Sequence, residues 1–212
     1  MRIFYPLMAG ALVLAGCSTP RGDHWTHNWK PLFDGKSMDH WVATDFAGHG
    51  NVTVENGELK IAAGDDLSGI TWTNGALPHM NYEISLQAMK LQGSDFFCGL
   101  TFPVANSSCT LILGGWGGGI AGLSSLDDAD ASENETTRSM AFDDNRWYHI
   151  LLRVRPDKIE VWFDDKEIIN ASIVGRKVSL RPGAIYLSEP MGVATYVTSS
   201  ALRDFKLRLL EP

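Results

Sequence analysis

Along most of the chain, apolar and polar residues alternate one by one. "NYEISLQAMKL" (81–91) sets Tyr82, Ile84, Leu86 and Ala88 against Glu83, Ser85 and Gln87, the period of a strand with one buried and one wet face. "NVTVENGELKIAA" (51–63) holds two such runs around Asn56-Gly57. That pair accepts positive φ at both turn positions and predicts a hairpin. "RWYHILLRVRPDKIEVWFDDKEIINASI" (146–173) reads as three strands broken at Pro156-Asp157-Lys158 and Asp164-Asp165-Lys166, which is a meander. The closing run "ALRDFKLRLL" (201–210) points Phe205, Leu207 and Leu209 one way and Asp204, Lys206 and Arg208 the other. No segment carries the pattern of a long amphipathic helix. Many short strands without intervening helices predict an all-β fold of two packed antiparallel sheets. The roughly 195 residues after the N-terminal segment exceed an immunoglobulin-type sandwich of about 100 and suit a larger jelly roll.

The N-terminus departs from this pattern. "MRIFYPLMAGALVLAGCS" carries one charge at Arg2, an apolar stretch, and small residues before Cys17, the layout of an export signal. As a helix, Ile3 to Ala15 would reach about 20 Å, short of the roughly 30 Å of a bilayer core. "LAGC" (14–17) resembles the bacterial lipobox. The resemblance implies that residues 1–16 are removed as a lipoprotein signal peptide, that Cys17 is the lipid attachment point, and that 17–28 form a tether before a domain at 29–212. Acyl chains on both the thiol and the new amine exceed the two-chain requirement for stable anchoring to a membrane. Ser18, after the cysteine, implies delivery to the outer membrane of a bacterial cell envelope.

The net charge of −7, with Lys and Arg scattered singly, leaves no basic stripe to neutralise a phosphate backbone, which excludes nucleic acid as a partner class. His-Glu-x-x-His and Gly-x-Ser-x-Gly motifs are absent from the sequence, so zinc-protease and serine-hydrolase readings lack their signatures. Cys98 and Cys109 lie in "DFFCGLTFPVANSSCTLIL", two strand-like runs around a turn. An oxidising compartment favours a cross-hairpin disulfide between them, with two buried free thiols as the alternative.

Three stretches resemble one family. "WKPLFDGKSMDHW" (29–41) is similar to the opening signature of the DUF1080, or 3-keto-disaccharide hydrolase, domain; "NRWYHILLRVRPDKIEVWFDDKEI" (145–168) is similar to its hairpin; "GAIYLSEP" and "ALRDFKLRLL" resemble its last strands. The resemblance implies a concanavalin A-like jelly roll, a carbohydrate ligand and cleavage of 3-keto glycosides, and it brings no cofactor with it. A ketone at C3 acidifies the hydrogen at C2. A base removes that hydrogen, the glycosidic oxygen leaves C1, and water adds to the enone, giving net hydrolysis. The family's central strand carries an Asn-Ser-Gly-Ile stretch where this sequence has "GSDFFCGLTF" and "CTLILGGWGGGIAG", so no catalytic residue transfers onto those positions. A noncatalytic glycan-binding lipoprotein is the alternative.

The elimination needs a base, an enolate-stabilising donor and a binding surface. Trp116, set among five glycines in "GGWGGG" (114–119), reads either as a platform for a sugar ring or as a core residue with glycine bends around it. Trp72 carries the same pair of readings. Glu133 and Glu135 share a strand face, with Arg138 three residues beyond Glu135. The assignment is Glu135 as base, Asp95 as a second catalytic polar group, and Arg138 and Glu133 as substrate contacts, weighed against solvated ion pairs. Asp128, Asp130 and Ser132, at alternate positions, offer oxygens to calcium, but the glycine and glutamate of a full calcium loop are missing.

Overall fold

A computed structural model describes residues 26–211; the signal peptide, Cys17 and most of the tether lie outside the described residues. In chain order the strands are β1 (Lys30–Pro31), β2 (Trp41–Ala43), β3 (Val52–Glu55), β4 (Glu58–Ile61), β5 (Leu67–Trp72), β6 (Tyr82–Gly93), β7 (Cys98–Val104) and β8 (Ser107–Gly114). There follow β9 (Ile120–Ser124), β10 (Arg138–Ser139), β11 (Trp147–Val154), β12 (Lys158–Phe163), β13 (Lys166–Ser172), β14 (Gly192–Tyr196) and β15 (Thr198–Leu209). They form two antiparallel sheets, the first ordered β13-β12-β11-β6-β15-β4-β3 with β1 paired to β15, the second β10-β9-β8-β7-β14-β5-β2. Consecutive strands pair in β3–β4, β7–β8–β9 and β11–β12–β13, while β6, β14 and β15 are inserted from afar.

Alternation assigns each strand's faces. From the first sheet, Tyr82, Ile84 and Leu86 of β6, Ile150 and Leu152 of β11 and Leu207 of β15 point inward. From the second, Leu100 and Phe102 of β7, Leu111 and Leu113 of β8, and Ile70 and Trp72 of β5 meet them, all buried. Burying a large apolar side chain contributes about 1.5–3 kcal/mol, so this layer holds the sheets together. The turn at Asn56-Gly57 has φ of 54° and 84°, as its sequence demands.

The β7–β8 hairpin is tighter than the sequence implied. Only Ala105 and Asn106 separate the strands, with Ala105 at φ 51°, and the register sets Cys98 opposite Leu113 and Cys109 opposite Phe102. The two cysteines are therefore offset by four residues along the strand direction, roughly 13 Å, beyond the roughly 4.4–6.8 Å between Cα atoms that a disulfide spans. Both thiols are free and buried, and burial pushes each up to about 12. The expected disulfide is replaced by two inert core thiols.

The outer face of the second sheet is small and polar. Gly69, Thr71, Thr101, Thr110, Gly122 and Ser124 stand on it, and loops lie directly against it. A Cβ on Gly69 would sit 2.6 Å from the Val193 carbonyl oxygen and 3.2 Å from the Phe46 ring; one on Gly122 would sit 2.7 Å from the Ala131 carbonyl oxygen. Glycine there lets the 44–50 and 125–137 loops approach closely. Among the described residues no helix is long and apolar enough to cross a membrane.

Candidate functional site

Loops from both ends of the second sheet enclose a cavity of about 460 Å³. Its walls are Phe46 after β2, Asp66 before β5, Asp95 and Phe96 between β6 and β7, Trp116 after β8, Asp130 after β9, Arg181 to Ile185 after β13, and Tyr196 at the end of β14. Thr110, Ile112 and Ser124 complete the sheet-side lining.

The glycine run explains how Trp116 reaches this cavity. Trp116 is left-handed (φ 50°, ψ 57°), between Gly114 at φ 85° and Gly117 at φ 80°. Such a conformation costs an L-residue about 1–2 kcal/mol, and the further positive-φ positions of the turn, Gly114, Gly117 and Gly118, fall on glycine. Asp95 holds the turn: its Oδ2 accepts from the Gly117 N–H at 2.8 Å and its Oδ1 from the Phe96 N–H at 2.8 Å. The indole is thereby turned outward, 41% exposed, with the Arg181 guanidinium 5.8 Å from its centre.

Arg181 also pairs with Asp130, Nη1 to Oδ2 at 3.0 Å. The other oxygen of Asp130 accepts from the Ser124 hydroxyl and from the Ala131 N–H. The loop carrying Asp130 is wired internally: the Asn134 side-chain amide donates to the carbonyls of Leu123, Ala129 and Asp130, and its oxygen accepts from Thr136. Across the cavity, Phe96 stacks on Tyr196 with centroids 6.0 Å apart. The Tyr196 N–H bonds the Phe96 carbonyl at 3.0 Å and the Val197 N–H bonds that of Asp66 at 2.9 Å, which fixes three lining residues to one another. The Asp66 carboxylate beside the Tyr196 phenol on the cavity wall holds that phenol above the ordinary tyrosine range. It is a protonated donor at neutral pH.

Of the residues assigned from sequence, Trp116 and Asp95 line the cavity, and Asp95 does so as a backbone anchor. The rest stand elsewhere. Trp72 is 3% exposed and packs edge-on against Trp41 at 5.2 Å, so it is core. Glu135 is not among the residues that line the cavity; it pairs with Arg176, which also holds Asp127 at 2.7 Å, and so ties two loops together. Arg138 gives its Nη1 to the carbonyls of Glu135 and Thr137 at 3.0 and 2.8 Å, so it braces the loop. Glu133 is exposed on that loop. A turn at Asp130–Asn134, instead of a continued strand, puts these residues on different sides. The oxygens considered for calcium also diverge: Asp128 reaches Lys177 at 2.7 Å, Asp130 reaches Arg181, and among the described residues no three His, Cys, Asp or Glu side chains cluster to hold a metal.

Sequence reasoning missed Phe46, Asp66, Phe96, Arg181 and Tyr196. No spacing joins them, because they come from five segments up to 150 residues apart. Only the left-handed indole carried a linear signal.

The domain model for 3-keto-alpha-glucoside-1,2-lyase-like proteins matches residues 28–207, the whole sandwich with its cavity. The chain belongs to this family. Members of the 3-keto-alpha-glucoside-1,2-lyase-like family are thus the frame for its jelly roll, and solved structures share that fold at low identity. Carbohydrate-binding module CBM66 from Bacillus subtilis aligns at TM-score 0.54 and 13% identity over 80% of this chain and 95% of its own. Domain 4 of AbnA, an extracellular arabinanase from Geobacillus stearothermophilus solved with arabinotriose, aligns at 0.53 and 14% over 81% and 84%. The Crh5 transglycosylase, solved with NAG, aligns at 0.57 and 9% over 89% and 86%. No curated protein matches the sequence.

Proposed function

We propose that the cavity binds one glycosyl unit and that the chain cleaves 3-keto glycosides by elimination and hydration. The observation that carries this reading is the convergence, on one 460 Å³ cavity, of an outward indole, a guanidinium and a carboxylate–phenol pair. Its size and mixed lining suit a small polar ligand with one apolar face. In this reading Trp116 and Phe96 take the ring faces. The Asp66 carboxylate removes the C2 hydrogen, and the electrons of that bond move to the C3 oxygen, which Arg181 faces as the enolate. Collapse of the enolate breaks the C1–oxygen bond, and the leaving oxygen takes a proton from the Tyr196 phenol. Water then adds across the enone. Family membership and the carbohydrate ligands of AbnA domain 4 and Crh5 support the substrate class. The acylated Cys17 of the sequence reading makes the chain a lipoprotein of the bacterial envelope.

A specific observation favours a second reading. Asp95 and Asp130 commit their oxygens to backbone N–H groups, Ser124 and Arg181, which leaves a rigid aromatic cup suited to glycan binding without cleavage. Incubation with 3-keto glucosides and matched unoxidised glucosides separates the two. Release of aglycone from the oxidised set alone, reduced about 10²-fold or more in Asp66→Asn and Tyr196→Phe, is expected. Binding of both sets without release would establish the second reading.

A further inference from the structure

The outer face of the first sheet takes no part in the cavity and has a composition of its own. Register places Glu160, Arg153, Glu83 and Arg208 side by side across β12, β11, β6 and β15. The Glu83 side chain is 0% exposed; Arg153 Nε reaches one oxygen at 2.7 Å, and Arg208 Nε and Nη2 reach the other at 2.7 and 2.6 Å. Glu160, nearly as buried, takes Lys158 at 2.8 Å and Arg153 at 3.5 Å. The acids lie underneath and the arginines stay half-exposed above them. Each guanidinium rests on an indole: Arg153 on Trp162 at 4.7 Å, Arg208 on Trp29 at 4.5 Å, Arg203 on Trp147 at 4.0 Å, with the Lys206 ammonium 5.2 Å from Trp29. Asp204, 4.0 Å from Arg203, is an exposed acid of this face, as are Glu55, paired with Lys60, and Glu167 toward the β3 and β13 edges. On a chain of net charge −7, the strip of this face around Trp29, Trp147 and Trp162 sets cations over tryptophan, the combination that populates membrane–water interfaces.

The chain also enters the fold on this sheet. The Leu209 N–H donates to the Thr26 carbonyl at 2.8 Å, beside Trp29 and Arg208. Cys17 stands nine residues before Thr26, a reach of about 30 Å fully extended. We propose that this face docks on the anionic phospholipid headgroups of the membrane that holds the acyl chains of Cys17. The two sheets are back to back, so docking by the first turns the cavity on the second toward the ligand side, away from the bilayer. Near an anionic leaflet a cation outside the Glu83 and Glu160 pairs, such as Lys206, strengthens association about fivefold, and the tether keeps the face within reach.

The test uses the mature acylated chain in vesicles of phosphatidylcholine, with or without phosphatidylglycerol, the lipids carrying brominated acyl chains that quench nearby tryptophan. Trp25→Phe removes the tether's own indole. Quenching is expected in the phosphatidylglycerol vesicles, lost at high salt, reduced in Lys206→Glu and in Arg203→Gln, and reduced in Trp29→Phe but not in Trp116→Phe; circular dichroism checks that each variant is folded. Equal quenching with and without phosphatidylglycerol, quenching carried by Trp116, or a mature chain whose Cys17 is unmodified by mass would each overturn the proposal.

Discussion

Trp116→Ala tests whether the outward indole is a ligand platform. A large aromatic side chain offers up to about 250 Å², and 41% of Trp116 is exposed, which leaves roughly 100 Å² on view. Covering all of it at about 25 cal/mol per Å² contributes about 2.5 kcal/mol, and covering one ring face about half that. The dissociation constant for a glucoside should therefore rise about 8- to 60-fold, as titration calorimetry would report. Trp116→Gly supplies a control for the backbone. Glycine relieves about 1–2 kcal/mol of left-handed strain and loses about 0.5–1 kcal/mol to its greater freedom when unfolded, so Trp116→Gly should be as stable as Trp116→Ala or up to about 1.5 kcal/mol more so. They should lose the same affinity, because the indole and not the turn meets the ligand. A folded Trp116→Ala chain with unchanged affinity would refute the platform, and with it the use made of the 114–119 turn.

Further outcomes follow from packing and charge. Cys98 and Cys109, pushed up to about 12 by burial, should resist thiol reagents at pH 8 in the native state and react together only on unfolding; labelling of either under native conditions would contradict their place in the core. Gly69→Ala forces a Cβ against the Val193 carbonyl and the Phe46 ring, and should destabilise by about 1–3 kcal/mol in denaturant titrations while weakening glucoside binding; an unchanged midpoint would mean the 44–50 loop does not press on the sheet. The Asp127 carboxyl is held below its ordinary value, first by the Lys177 N–H and then by Arg176. A carboxylate lowered by folding contributes stability above its unfolded value and loses it as pH falls through the folded one. The 125–137 and 173–181 loops should therefore loosen below about pH 4, seen as faster proteolysis at that edge, and an unchanged cleavage rate down to pH 3 would remove Asp127 as their clasp.

Alternation alone determined much of this molecule. The inward sets Tyr82–Ile84–Leu86 and Phe205–Leu207 and the hairpin at Asn56-Gly57 were legible because a strand's faces follow from a period of two, and a turn's φ values follow from its residues. The glycines around Trp116 announced positive φ, a conformation that glycine adopts at least cost. Tertiary structure decided what local pattern does not encode. One turn, Ala105-Asn106, set the β7–β8 register and parted Cys98 from Cys109. One loop, closed by Asn134, sent Glu135 to Arg176 and Asp130 to Arg181, though they lie five residues apart. Asp66, Phe96, Arg181 and Tyr196 gather only after β14 slots between β5 and β7. A cavity made of loop ends depends on which strands become neighbours, and that is settled by the packing of the two sheets, over distances that no stretch of sequence spans.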